Sequence, residues 1–345
     1  MNLLSLRFAG RRFAAGSVSP LVSGALILPL SVPAHAQDGH AGVESKTVAT
    51  PIQMVDMFHS AFGTHHARAV HAKGIVLEGD FTPAPEARSL SRAAHLQGAT
   101  VPIIVRFSDF TGIPNIADTV GASSPRGMAI KFKLPGAAST DLIAHSFNGF
   151  PTATTDEFRS LLLAIGANGS GNPAPLTDFL ATHPIAKTFL TTQKPLSTSW
   201  ATLSFFGVNA FKFTNQAGQE HYVRYQLIPD AGEHFLSKAQ AAAAAPDYLQ
   251  TEIKQRVARK PITFKLYAQV AEKGDVIENP SVAWPDSRKR VLLGTLVIKK
   301  MAANTAEEDK ALFFNPNNVP EGVNIADQML LDRARTYPLS VGQRQ

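Results

Sequence analysis

Cysteine is absent from all 345 residues, which excludes disulfides, thiolate nucleophiles, cysteine-ligated zinc, iron–sulfur clusters and any thiolate metal ligand. Stability must therefore come from packing. Charge is also scarce, at 17% of residues with a formal net value of +6, and no basic run is dense enough to track a phosphate backbone. A nucleic-acid partner is not expected. Beyond residue 32 no apolar run is long enough to span a bilayer, so no membrane partner is expected either. Internal repeats and long linkers are missing too, which leaves no seam along which to divide the chain into domains.

What is present is a hydrophobic fraction of 44%, the balance of a globular chain with a sizeable core. The N-terminus is different in kind. Arg7, Arg11 and Arg12 precede an apolar stretch from Leu21 to Val32, and Ala34-His35-Ala36 supplies small residues before Gln37. That pattern reads as a cleaved secretory signal over residues 1–36, with one domain over 37–345 and a periplasmic address. Arg11-Arg12-Phe13 leaves the twin-arginine route open beside the general one. Loss of the signal lowers the formal charge from +6 to +3, because it holds three arginines and no acids.

Periodicity predicts an amphipathic helix over Met54–Phe62, stopped by Gly63. Strand-like runs follow at Ala69–Glu78, Val101–Phe107, Gly127–Leu134 and Asp141–Phe147, and again at Ala210–Thr214, His221–Ile228, Pro261–Ala268 and Val291–Ile298. Helical patterns lie at Ala87–Leu96, Asp156–Ile165, Pro175–Phe189 and Ser237–Arg259, the last interrupted by Pro246. Strands outnumber helices and show no βαβ rhythm. The expectation is an α+β fold, one antiparallel β-barrel or strongly bent sheet with helices packed around it.

Three places carry chemistry. Arg333 and Tyr337 are four apart, so on a helix they share a face and the guanidinium reaches the phenol oxygen. A phenol with a pKa near ~10 is a poor metal ligand, and a fixed positive charge favours its anion. The same spacing also suits an ordinary surface helix end. His71 opens the first strand-like run, where alternation turns it and Ala69 to one face and Arg68 away; it suits general acid–base work or a hydrogen-bonded core position. Arg106 lies in the apolar run Val101–Phe107 and needs an anionic partner, either a protein carboxylate or one on a ligand. With Arg68 and Arg344 it makes three arginines with few nearby acids, a set suited to an anionic ligand. His65-His66 has no third ligand at useful spacing, and the glycine-rich Gly166–Gly171 lacks the lysine of a phosphate loop and reads as a turn.

Taken in order, Arg68-x-x-His71-Ala-Lys-Gly74, Val105-Arg-Phe-Ser108, Ser124-Pro-Arg-Gly-Met-Ala129 and Arg333-x-x-x-Tyr337-Pro resemble the haem catalases. Brevity and the export signal make the chain most similar to their minimal branch, the catalase-related peroxidases. Phe211-Lys-Phe-Thr-Asn215, Trp284-Pro285, Leu293–Val297 and Phe314–Pro320 agree, so the resemblance covers about Pro51 to Arg344.

The resemblance implies a catalase-like barrel that binds haem b, with Tyr337 as iron ligand and Arg333 holding it deprotonated. It implies His71 as the distal catalyst, Ser108 as its hydrogen-bond partner, Phe158 as an apolar wall, and Arg68, Arg106 and Arg344 on the propionates. The family's distal asparagine falls at His145, with Asn148 three residues on, so His145, a shifted Asn148 or neither completes the pocket. The implied activity is reduction of hydrogen peroxide or an organic hydroperoxide by a small organic donor. A true catalase, a hydroperoxide-rearranging enzyme (against which Val70 argues, where those enzymes carry threonine) and a haem carrier without catalysis remain alternatives. Homo-oligomerisation stays open.

Overall fold

The computed structural model describes residues 47–303 and 305–344, so the signal expected over 1–36 and the start near Gln37 lie outside the described residues. Helix α1 (Pro51–Phe62) is followed by β1 (Gly74–Pro83), β2 (Val101–Ser108), β3 (Gly127–Lys133) and β4 (Ser139–His145). Three helices, α2 (Thr155–Gly169), α3 (Ala174–Thr182) and α4 (Pro184–Thr191), precede β5 (Phe205–Thr214) and β6 (Glu220–Pro229). Then come α5 (Lys238–Ala243), α6 (Tyr248–Arg259), β7 (Ile262–Val270), β8 (Arg290–Met301), α7 (Thr305–Ala311), a short β9 (Val323–Ile325) and α8 (Gln328–Gly342).

All strand pairings among the described residues are antiparallel, in the order β4-β3-β2-β1-β8-β7-β6-β5, and a β4–β5 bridge closes these eight into a barrel with β9 added on β5. Closure removes exposed sheet edges. Alternation decides what fills the barrel: in β7, Ile262, Phe264, Leu266 and Ala268 are buried at every second position. They meet Phe107, Trp200, Phe205 and Leu296 in one apolar core, where the Phe107 and Trp200 rings stack at 6.0 Å.

The helices begin where side chains satisfy their free amides. Thr50 with Gln53, Thr154 with Glu157 and Ser237 with Gln240 form capping boxes on α1, α2 and α5. Gly166, within α2, lets that helix meet α1 closely: a Cβ there would lie 2.4 Å from the Ser60 carbonyl oxygen. The glycine-rich stretch thus begins inside a helix rather than in a free turn.

Three local expectations need correction. The run Ala69–Glu78 does not begin as a strand, because β1 starts only at Gly74 and His71 has φ +57°. The segment Ala87–Leu96 is two short 3-10 turns, Pro85–Ser89 and Ala94–Leu96; the Ser91 hydroxyl accepts from the Ala93 amide and competes with helix continuation. Pro184 splits the helix expected over Pro175–Phe189 into α3 and α4.

Candidate active site

The site lies on the outer wall of the barrel. Register aligns Gly74, Ser108, Gly127 and His145 in one row across β1 to β4, and directly paired residues of an antiparallel sheet point to the same face. Two steps along β2, Arg106 shares that face with Ser108. The two glycines make room. A Cβ on Gly127 would lie 2.5 Å from Ser108 Oγ and 2.7 Å from His71 Nδ1, so His71 seats its ring only because this position is bare.

His71 itself comes from the irregular segment before β1. Its left-handed backbone costs on the order of 1–3 kcal/mol for a non-glycine residue, and several contacts over-determine it. The His71 amide donates to the Phe110 carbonyl at 2.8 Å, and its own carbonyl accepts from Arg106 Nη1 at 2.9 Å. The ring sits edge-on to Phe110 at 5.6 Å. His71 Nδ1 lies 2.9 Å from the Asp109 carbonyl oxygen and 3.1 Å from Ser108 Oγ. A carbonyl only accepts, so Nδ1 carries the hydrogen and Nε2 keeps a free lone pair. Burial first, then the charge of Arg106, then His145, push the His71 pKa down to about 3, so the imidazole is neutral.

Behind this ring lies a buried ionic layer. Arg126 pairs with Asp109 and Lys73 pairs with Asp118. Burial lifts the pKa of the Asp109 carboxyl; Arg126 opposes the rise and Asp118 adds to it. Asp118 also accepts from the Leu249 amide at 2.8 Å, which ties the layer to the first turn of α6.

On the facing side stands α8, which Asp327 caps by accepting from the Met329 amide. Arg333 Nε donates to Tyr337 Oη at 2.7 Å, one helical turn away. Arg333 Nη1 donates to Asn209 Oδ1 at 3.0 Å, and Asn209 Nδ2 donates to Asp327 Oδ2 at 2.8 Å. A chain thus runs from the half-buried phenol and guanidinium through a buried amide to a buried carboxylate, whose pKa burial raises to about 6. Asn209 and Asp327 lie 128 and 10 residues from Tyr337 in the chain, and no local spacing announced them.

Between these walls is a cavity lined by Val70, His71, Met128, Ile143, Phe314 and Tyr337, with Arg68, Arg106 and Arg344 at one edge. Arg106 has found its anion in the protein: Asp309, on α7, which also pairs with Arg68. The donor set fits a flat, apolar, iron-bearing macrocycle with two carboxylates. It offers a phenol held by a guanidinium, mainly aliphatic and aromatic walls, and a buried Arg344 Nε that has no partner among the described residues.

The remaining sequence-derived positions are distributed as follows. His145 is half-buried, with its Nε2 shielded and without a partner among the described residues; burial, then Arg333, lower its pKa to about 4, so the ring is neutral. Asn148 is half-buried beyond the end of β4. Phe158 stands behind the pocket, its ring 4.8 Å from Phe150, which lies 6.4 Å from His145. His65 and His66 are exposed.

Residues 34–344 match the family model described as Catalase. A catalase-related peroxidase of Mycolicibacterium paratuberculosis is 35% identical over 300 residues, covering 86% of this chain and 95% of that protein. A second, from Synechococcus elongatus, is 30% identical and covers 86% and 89%. Among solved structures, a fungal catalase superposes with a TM-score of 0.72 at 22% identity over 81% of this chain; the chain spans 59% of that longer protein.

Proposed function

The chain belongs to the catalase family, and on that premise we propose that it is a haem b peroxidase, exported to the periplasm, that reduces hydrogen peroxide or organic hydroperoxides with electrons from a small organic donor. The observation that carries this reading is the opposition of two prepared groups across one cavity: Tyr337 Oη bonded to Arg333 at 2.7 Å, and a neutral His71 with Nε2 free.

Haem bound here supplies the two electrons that reduce the peroxide O–O bond. Tyr337 would hold its iron through the oxygen to which Arg333 Nε donates. Arg344, with its buried free Nε, and Arg68 would take the carboxylates. His71 Nε2 accepts the proton from the near oxygen of the peroxide and returns it to the far oxygen, so that water leaves. The Asp109 carbonyl and Ser108 hydroxyl keep Nδ1 protonated throughout and hold the ring in line. His145 Nδ1 accepts from the Phe147 amide at 3.4 Å, so Nε2, shielded and without a partner among the described residues, carries the ring hydrogen and replaces the family asparagine as a donor to a peroxide oxygen; Phe158 backs the pocket at one remove, through Phe150.

Stopped-flow turnover with hydrogen peroxide, with and without a phenolic donor, tests the assignment. Donor oxidation with little oxygen release is expected. Oxygen release that ignores the donor would make the chain a true catalase, and no peroxide reaction at all would leave haem binding alone. Export is read from the precursor and mature lengths in a fractionated bacterial host, with loss of residues 1–36 expected.

A further inference from the structure

The cofactor reading offers three arginines for two carboxylates, and the structure treats the three unequally. Arg106 is 3% exposed and already committed within the protein. Its Nη1 donates to the His71 carbonyl at 2.9 Å, its Nη2 donates to the Ala72 carbonyl and to Asp309 Oδ2 at 3.0 Å each, and its Nε donates to Asp309 Oδ1. Arg68 gives Nη1 to Asp309 at 2.8 Å and Nη2 to the Asp309 and Leu312 carbonyls at 2.6 and 2.9 Å. Among the described residues Arg344 donates Nη1 to the Leu312 carbonyl, at 2.9 Å, and its buried Nε has no partner.

Asp309, the one carboxylate paired with these guanidiniums among the described residues, has two consequences. It leaves the cluster with two positive charges, the number that a cofactor with two carboxylates balances. It also supplies the counter-charge without which a guanidinium buried as deeply as Arg106 would not stay in place. Arg106 in turn grips the His71 and Ala72 carbonyls, the two peptide groups that leave the left-handed residue. Gly74 leaves room for that grip, since a Cβ there would lie 2.4 Å from the guanidinium carbon. A non-glycine residue keeps such a backbone only when its surroundings over-determine it.

We propose that Asp309 is a positioning residue for the distal histidine, acting through Arg106, so that Arg106 braces the backbone of His71 while Arg68 and Arg344 take the cofactor carboxylates. This assignment rests on the haem peroxidase reading for its cofactor half only; the brace itself is a property of the polypeptide. Asp309 lies on a seven-residue helix more than 200 residues from His71, so α7 acts as a strut fixed against the catalytic turn.

The test compares wild type, Asp309→Asn and Asp309→Glu by three readouts. Haem affinity comes from Soret titration of the haem-free proteins. Cyanide association with the ferric, haem-loaded proteins reports the distal base, because hydrogen cyanide must give up its proton there. Hydrogen exchange at the His71 and Ala72 amides, bonded to the Phe110 and Thr111 carbonyls, reports the turn without haem.

For Asp309→Asn, haem affinity is expected to stay within about threefold of wild type or to tighten, since the cluster gains positive charge. Cyanide association should slow by about tenfold or more, and both amides should exchange faster. Asp309→Glu should restore most of the cyanide rate. Weaker haem binding with an unchanged cyanide rate per bound haem would overturn the proposal and assign Asp309 to the cofactor cluster, as would three wild-type readouts. Should Asp309→Asn not fold, Arg106→Lys decides by the same contrast: it keeps the positive charge but loses the grip on the His71 and Ala72 carbonyls, so cyanide association should slow and both amides exchange faster while haem affinity stays within about threefold, and weaker haem binding with an unchanged cyanide rate would overturn the proposal. A wild type that takes up no haem sinks the functional reading, and amide exchange still decides the brace.

Discussion

Tyr337 and His71 face one another across a single cavity, yet they are held by opposite kinds of structure. The phenol rides on α8, where a regular helix sets the i, i+4 contact with Arg333 and only one link in the chain of hydrogen bonds, Asn209 of β5, comes from elsewhere. The imidazole sits on a left-handed turn outside any regular element and is fixed by β2, β3, α7 and the buried ion pairs behind Asp109. Each arrangement suits its task. An iron ligand needs one short, stiff link and a charge beside it. A proton-transfer group needs orientation from several directions and protection from water, which the depressed His71 pKa records.

If the two walls divide the work in this way, damage to them should differ in kind. His71→Ala is expected to give the largest effect, slowing the peroxide reaction by about 10²- to 10⁴-fold while the Soret band and haem affinity persist. Single-turnover mixing of the haem-loaded variant measures it, and equal loss of haem would erase the distinction. A proximal lesion should instead appear in stability. Asn209→Ala strips the buried Asp327 of a donor and Arg333 of an acceptor, and about 1–3 kcal/mol should be lost in urea unfolding of the haem-free protein. The smallest effect sharpens the contrast by its absence. With its pKa at about 3, the half-buried His71 remains a neutral base well below the usual histidine range. The bimolecular rate with peroxide should therefore stay flat from neutral pH to about pH 5. An inflection near 6.5 would mean that the ring is solvated. The linked stability has a definite sign: the unfolded histidine binds a proton below its ordinary pKa and the folded one does not, so this contribution is complete above about 6.5 and is lost as pH falls toward 3.

How far the sequence discloses such a site depends on the range of the forces that build it. The barrel was legible because alternation in runs such as Ile262–Val270 is a short-range signal of a sheet with one face buried. The Arg333–Tyr337 contact was legible for the same reason at helical period, and Arg106 declared its need for an anion by standing in an apolar strand. The turn at His71 was not legible. Alternation extended the strand back to Ala69, whereas long-range bonds to Phe110 and Arg106 hold a conformation that local propensity disfavours. Asp309 escaped notice among the acids of a short polar helix, since only the fold carries it to Arg106. Asn209, in the middle of β5, was equally silent, because a buried polar side chain is explained only by the partners that the fold brings to it.

The most direct measurement is the absorption spectrum of the haem-reconstituted protein beside that of Tyr337→Phe. A high-spin ferric spectrum with a charge-transfer band in the wild type, lost in the variant, is the expected result and would establish tyrosinate on the iron. An unchanged spectrum in Tyr337→Phe would contradict the assignment of α8 as the iron-binding wall, and the division of labour between the two walls would fall with it.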